Sequence, residues 1–176
     1  LKGMRNYVCL ERALAVFEQT DLPNLDVEER FAWLVLLMWL SETRDGTLDE
    51  ISYWARRTFP ALARLCDSLR AENGECQRER CPTADDCFHR QAYRRAEDAD
   101  VVVMNHALLL SKEWGEEGLP FVRVVVDEAH NLEDAATSAA TDEVSWGSIA
   151  YLVNRLLDRR SGHGVLIRVR DQVRDA

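Results

Sequence analysis

The stretch RVVVDEAHNLEDAA, residues 123–136, runs three valines straight into a pair of carboxylates. Together with Val122, the residues Val124, Val125 and Val126 lack polar alternation. Such a run reads as a β-strand covered on both faces, the pattern of a parallel sheet in an α/β protein. The crevice beyond the carboxyl ends of such strands is where open α/β sheets bind ligands, and Asp127 and Glu128 fall at that edge. One carboxylate there can hold Mg²⁺, directly or through water, while its neighbour orients or deprotonates an attacking water. The plainer reading is a strand ending in an acidic helix cap, with Asn131, Glu133 and Asp134 opening the next helix.

Around this stretch, 176 residues of 47% hydrophobic composition are enough to bury a core in one or two domains. The longest apolar run, FAWLVLLMWL (31–40), is ten residues, against the ~20 that a helix needs to span a bilayer; no membrane partner is expected. The first residues, LKGMRNYVC, have no signal-peptide layout and do not begin with Met, which points to an excised piece of a longer protein. With the spacing of the cysteines, this favours the cytoplasm. The net charge of −9 argues against nucleic acid at first sight, but its distribution is uneven. Residues 16–50 carry nine acidic residues against two arginines. Residues 76–95 carry Arg78, Arg80, Arg90, Arg94 and Arg95 against three acids, and Lys2, Arg5 and Arg12 flank the first cysteine. A local basic surface can hold phosphates on an acidic protein; charge alone fits a solvated helix face as well.

The pattern along the chain is helical first. Residues 7–18 place Leu10, Leu14 and Phe17 on one face, and Asp26 with Glu29 forms a capping box that opens an apolar helix through about residue 42. RDG (44–46) breaks the chain, Thr47 with Glu50 starts another helix, and Pro60 begins a further one ending before residue 72. Thr83 with Asp86 opens a helix to about residue 98. Val101 to Met104 reads as a buried strand followed by a short helix, and 114–120 as a loop. From 135 to 160 the apolar spacing is helical again.

Five cysteines punctuate the helical block: Cys9, Cys66, Cys76, Cys81 and Cys87. The last three form C-x4-C-P-x4-C. Zinc sites favour tighter pairs, whereas one distant cysteine and three clustered ones at wider gaps suit a cubane cluster. Disulfides and unliganded thiols remain open on spacing alone. Cys66 lies on the apolar face of ALARLCDSL and reads as a small buried hydrophobe. His89 and His106 are reserve ligands that a four-cysteine set does not need.

NYVC (6–9), ECQRERCPTADDC (75–87), ADVVVMNHALLL (99–110) and VVVDEAHNLEDAA (124–136) occur in that order. In this combination the chain resembles the DinG/XPD-type iron–sulfur helicases of superfamily 2, the bacterial DinG branch above all, and VVVDEAHN has the form of their Walker B element. The resemblance implies an α/β fold class: a mainly helical iron–sulfur domain (1–98) inserted in a RecA-like P-loop motor domain with a partial parallel sheet (99–137), then the start of a helical arch domain (138–176). It implies Cys9, Cys76, Cys81 and Cys87 as ligands of a [4Fe–4S] cluster, and Asp127 as the Mg²⁺ carboxylate. Glu128 would be the residue activating water, and His130 the coupling position between nucleotide and DNA. The parent enzyme would use ATP and Mg²⁺ to move 5′→3′ on single-stranded and forked DNA in repair or replication, as a monomer. Lys2, Arg5, Tyr7, Arg78 and Arg80 would form the DNA contact surface by phosphate binding and stacking. No G-x-x-x-x-G-K-[ST] loop and no second motor domain are present, so half an ATP site, inactive alone, is expected. The alternatives are a standalone metal-binding nucleic-acid interaction module with a vestigial DEAH, and an unrelated zinc domain.

Overall fold

In the computed structural model, which describes residues 1–72, 76, 80–111, 123–141 and 149, the short segment Tyr7–Cys9 runs between two loops remote from it in sequence. Val8 N–H donates to the Gly46 carbonyl at 3.0 Å, Ala71 N–H to that of Tyr7 at 2.9 Å, and Cys9 N–H to that of Leu69 at 2.8 Å. Antiparallel bridges pair Tyr7 with Thr47 and Val8 with Arg70. Tyr7 and Val8 are buried, so their backbone groups need partners inside the protein, and the two loops provide them. The chain divides into two compact units, Leu1–Val125 and Val126–Ala176, which are taken in turn.

In the first unit, α1 (Leu10–Gln19), α2 (Val27–Glu42), α3 (Tyr53–Thr58) and α4 (Pro60–Ser68) precede the cysteine-rich turns, and α5 (Phe88–Glu97) and α6 (His106–Leu109) follow them. The capping box expected at Asp26 is present: its carboxylate accepts from Glu29 N–H at 2.8 Å, and Glu29 accepts from Asp26 N–H at 3.0 Å. Pro60 opens α4, where its missing N–H costs nothing. The next amide, Ala61 N–H, donates to Glu28 on α2 at 2.7 Å, so the first turn of α2 caps the helix it packs against. The α2 face bearing Ala32, Trp33 and Leu36 and the α4 face bearing Ala61, Leu62 and Cys66 join Val8, Ala13, Leu48, Ile51 and Leu69 in one core. Phe31 stacks on Phe59 at 4.5 Å, and Phe17 meets Trp33 edge-on at 5.5 Å. The opposite side of α2 leaves Val27, Phe31, Leu34, Leu37 and Met38 exposed.

A second device fixes the turn after α2. The Glu50 carboxylate accepts from Trp39 Nε1 at 2.9 Å, from the Thr43 hydroxyl at 2.6 Å and from the Thr47 hydroxyl at 3.1 Å. Burial pushes the Glu50 pKa up, but the bonds from Thr43, Trp39 and Thr47 outweigh it and hold the carboxyl below its ordinary range.

In the second unit the described residues form a turn and α7 (Leu132–Ala140), with Glu133 and Asp134 in its first turn, where acidic residues complement the helix dipole. Among the described residues no helix is long and apolar enough to cross a membrane.

The mostly helical character is as expected; the sheet is not found among the described residues. Residues 101–105 and 123–126 carry no strand ladder. Val101 and Val103 are each 79% exposed and Val125 is 96% exposed, where burial on both faces was expected. A strand exists only through its neighbours' backbone, and among the described residues the one long-range bond to these segments is from the Leu1 amino group to the Val103 carbonyl at 2.7 Å. Val122, the loop at 114–120 and nearly all of the helical pattern beyond 141 lie outside the described residues. Two helix starts also differ. Thr47 with Glu50 gives a single 3₁₀ turn, Leu48–Glu50, because Glu50 is drawn back onto the threonines. Thr83 and Asp86 lie in turns, and α5 starts only after Cys87.

Two outcomes follow. Leu62, fully buried between α2 and α4, loses about 2–5 kcal/mol of unfolding free energy when changed to Ala, read by denaturant titration of the whole chain. Because the folded Glu50 pKa is depressed, its contribution is complete above the ordinary carboxylate range and is lost as pH falls through the lowered value. The Tm gap between wild type and Glu50→Gln is therefore largest at neutral pH and narrows on acidification; a gap independent of pH would contradict the assignment.

Candidate metal centre and acidic turn

Cys9 is set by the threaded segment: its amide is fixed on Leu69, and its carbonyl accepts Ala13 N–H at 2.9 Å at the start of α1. Cys87 holds the equivalent place on α5, accepting Gln91 N–H at 3.0 Å. Both cysteines thus occupy the N-cap positions of ten-residue helices. Cys81 begins a run of tight turns; Ala84 N–H bonds its carbonyl at 3.1 Å, and its Sγ lies 3.4 Å from Thr83 Oγ1. All three are half-buried, and all five cysteines are free thiols.

Burial pushes the Cys9 thiol pKa up; the Arg12 amide and guanidinium pull it down, and Cys81 and Cys87 push it up again. Cys76 is exposed, with its amide on the Glu72 carbonyl at 3.0 Å. Among the described residues no three His, Cys, Asp or Glu side chains close to metal-holding distance. Cys66 is only 1% exposed, within the apolar core, as its helical setting predicts. Burial raises its pKa as it does that of Cys9, and its packing among apolar side chains sets Cys66 apart.

Of the basic candidates, Lys2 pairs with Asp49 at 2.7 Å and Arg5 with Glu72 at 3.8 Å. Arg80 is exposed, and Arg78 lies outside the described residues. Tyr7 is only 3% exposed, its ring edge 5.5 Å from His89, so it presents no open stacking face.

The acidic turn has its own geometry. The Asp127 carboxylate accepts Glu128 N–H at 2.9 Å, and the Glu128 carbonyl accepts Asn131 N–H at 2.9 Å. Glu128 has φ +47°, the only positive φ at a non-glycine among the described residues. A bulky residue in the left-handed region costs free energy, and such strain gathers at functional sites. His130 Nδ1 lies 3.3 Å from Glu128 Oε2. Asp127, Glu128 and His130 are exposed, so both carboxylates can be reached by a cation or a water. Sequence reasoning placed these three residues together, and the turn holds them so. It read Glu50 only as a helix start with Thr47 and Gly46 only as the break at RDG, and it missed Thr43 and Phe88.

The sequence pattern of the DEAD_2 family matches residues 61–149. The ATP-dependent DNA helicase YoaA of Escherichia coli is 36% identical over 147 residues, covering 78% of this chain and 21% of that protein. The ATP-dependent helicase DinG of Mycobacterium tuberculosis is 34% identical over 176 residues, covering 90% and 26%. The 3'-5' exonuclease DinG of Bacillus subtilis is 32% identical over 140 residues, covering 78% and 14%. The chain thus spans about a quarter or less of the length of these relatives. No solved structure gives a significant match.

The cysteine geometry separates two variants. On the ligand set that the resemblance implies, Cys81→Ser is expected to abolish the iron content and visible absorbance of anaerobically reconstituted protein, whereas Cys66→Ser is expected to keep both. Equal loss in the two variants would place Cys66 in the ligand set.

Proposed function

Because the chain belongs to the DEAD_2 family, we propose that it is the segment of an ATP-dependent DNA helicase that supplies the Walker B half of the nucleotide site and an iron–sulfur centre beside it in sequence. One observation carries this reading: the family match, 61–149, spans both the Cys81/Cys87 pair and the strained Asp127–Glu128 turn. Relatives that are themselves called ATP-dependent helicases align over 78% and 90% of the chain.

The side chains have the chemistry for these roles. Asp127, exposed at the head of the turn, would hold Mg²⁺ on its carboxylate. Glu128, one residue on, would accept the proton of the attacking water. His130, whose Nδ1 lies 3.3 Å from Glu128 Oε2, would couple the nucleotide site to the DNA-binding surface. Cys9, at the start of α1, and Cys76, Cys81 and Cys87, ahead of α5, would together hold a [4Fe–4S] cluster. When bound, such a cluster supplies metal–thiolate links between segments far apart in sequence, so that metal binding becomes folding free energy. Lys2, Arg5, Arg78 and Arg80 would meet DNA phosphates. The exposed pairs of Lys2 and Arg5 are worth only about 1 kcal/mol or less and would give way to phosphate. Val101, Val103, Val124 and Val125 would lie in the parallel sheet of the motor domain of the longer protein, which would cover their exposed faces. Movement 5′→3′ along single-stranded DNA, action at forks and a place in repair or replication belong to this proposal too, and the segment beyond residue 138 would begin the arch.

The test uses the full-length protein. Glu128→Gln keeps ATP binding but lowers DNA-stimulated turnover by about 10²-fold or more, since the amide keeps the shape and loses the proton acceptor. Unchanged turnover would remove Glu128 from catalysis and, with it, the helicase reading of the turn.

A further inference from the structure

Gly46 occupies a junction that the proposed function leaves unexplained. Its φ is +63°, and a Cβ built there would fall 2.2 Å from Phe88 Cγ, 2.3 Å from Cδ2 and 2.7 Å from Cβ. All three distances are below any tolerable contact. The Phe88 Cβ is not a flexible tip: it is fixed to the first residue of α5, immediately after Cys87. On its other side Gly46 accepts Val8 N–H at 3.0 Å, one residue before Cys9. One residue without a side chain therefore lies between the backbones that carry two cysteines 78 positions apart in the numbering.

The loop bearing Gly46 is held in turn. Gly46 N–H donates to Thr43 Oγ1 at 2.8 Å, and the same hydroxyl donates to Glu50 at 2.6 Å. Asp45 adds an ion pair to Arg95 on α5 at 3.1 Å. The linkage runs from Glu50 through Thr43 to Gly46, and from there to Val8–Cys9 on one side and Phe88–Cys87 on the other. Metal–sulfur bonds tolerate displacements of only about 0.2 Å. A methyl group forced into this junction moves one of the two cysteine-bearing segments by far more.

We propose that Gly46 is a positioning residue for the metal centre, setting the spacing of Cys9 and Cys87 by allowing α5 and the threaded segment to close on a bare backbone. The proposal rests on the reading of Cys9 and Cys87 as ligands. Outer residues of this kind typically cost 10–100-fold in metal affinity when changed.

The experiment compares wild type, Gly46→Ala, Thr43→Val and Leu36→Ala as full chains reconstituted anaerobically with iron and sulfide. The readouts are iron per chain, visible absorbance and the rate of iron loss to a chelator, with helical circular dichroism as the measure of folding. Leu36 is fully buried in the core on α2, and its truncation destabilises without touching the junction. Gly46→Ala is expected to lose iron about tenfold faster than wild type or more, and faster than Leu36→Ala. Thr43→Val, which removes only the bond to Gly46 N–H and its tie to Glu50, shifts the rate the same way by about threefold. If Gly46→Ala does not fold, Thr43→Val decides. Wild-type retention of iron in either folded junction variant, or equal loss in Leu36→Ala, overturns the positioning role while leaving the ligand set intact. A wild-type chain that takes up no iron overturns the ligand reading itself, and the positioning role with it.

Discussion

Three backbone hydrogen bonds hold Tyr7, Val8 and Cys9 between the loop at Gly46 and the segment Leu69–Ala71, and the first unit is organised around them. A helix makes its own backbone bonds and packs wherever its apolar face finds a partner. An extended segment cannot; it is held only by the groups on either side of it. Burial of Val8 therefore requires that α1, the turn after α2 and the end of α4 all be in register at once. Apolar packing of α2 on α4 supplies the bulk of the attraction, but it is non-directional. The bonds to the threaded segment decide which arrangement that attraction stabilises.

The same constraint accounts for the placement of the cysteines. Cys9 follows the threaded segment, Cys87 precedes α5, and both meet the protein through the N-terminal end of a helix. A sulfur in that position has its backbone fixed on both sides while its side chain projects from the helix end. Cys66, on the flank of α4, has no such freedom and is packed like any small apolar residue. The difference between the half-buried thiols of Cys9 and Cys87 and the core residue Cys66 is thus a matter of backbone position.

Much of this was legible in the sequence, and what was not has a common cause. The capping box at Asp26, the start of α4 at Pro60, the inward face at Cys66 and the pairing of Asp127 with Glu128 are local signals, decided within a few residues. The Gly46–Phe88 contact and the burial of Tyr7 against His89 depend on residues tens of positions apart, the Glu50 clamp joins residues 3 to 11 positions apart across a turn, and no periodicity encodes any of them. Tyr7 shows the difference plainly. Beside Lys2 and Arg5 it has the composition of a nucleic-acid contact, yet its ring turns inward against His89. The valine runs failed in the opposite direction: their pattern asks for two covered faces, and the described residues half-cover one, at Val102 and Met104, and leave Val101 and Val103 exposed. A pattern reports the environment a segment is suited to, and that environment is built by other parts of a fold.

The threaded segment also sets a timetable. The guanidinium of Arg70 bonds the Arg5 carbonyl across a separation of 65 residues, beside the Val8–Arg70 bridge. A ribosome adding about 5–20 residues per second releases the two ends of that contact roughly 3–13 s apart. Throughout that interval α1 and α2 exist without the surface they pack on, α2 being apolar nearly all the way round. The cysteine that leaves the ribosome first waits the longest for its neighbours. For this architecture the hazard lies in the order of synthesis, in the seconds when Cys9 and the apolar faces of α1 and α2 are present and α4 and α5 are not.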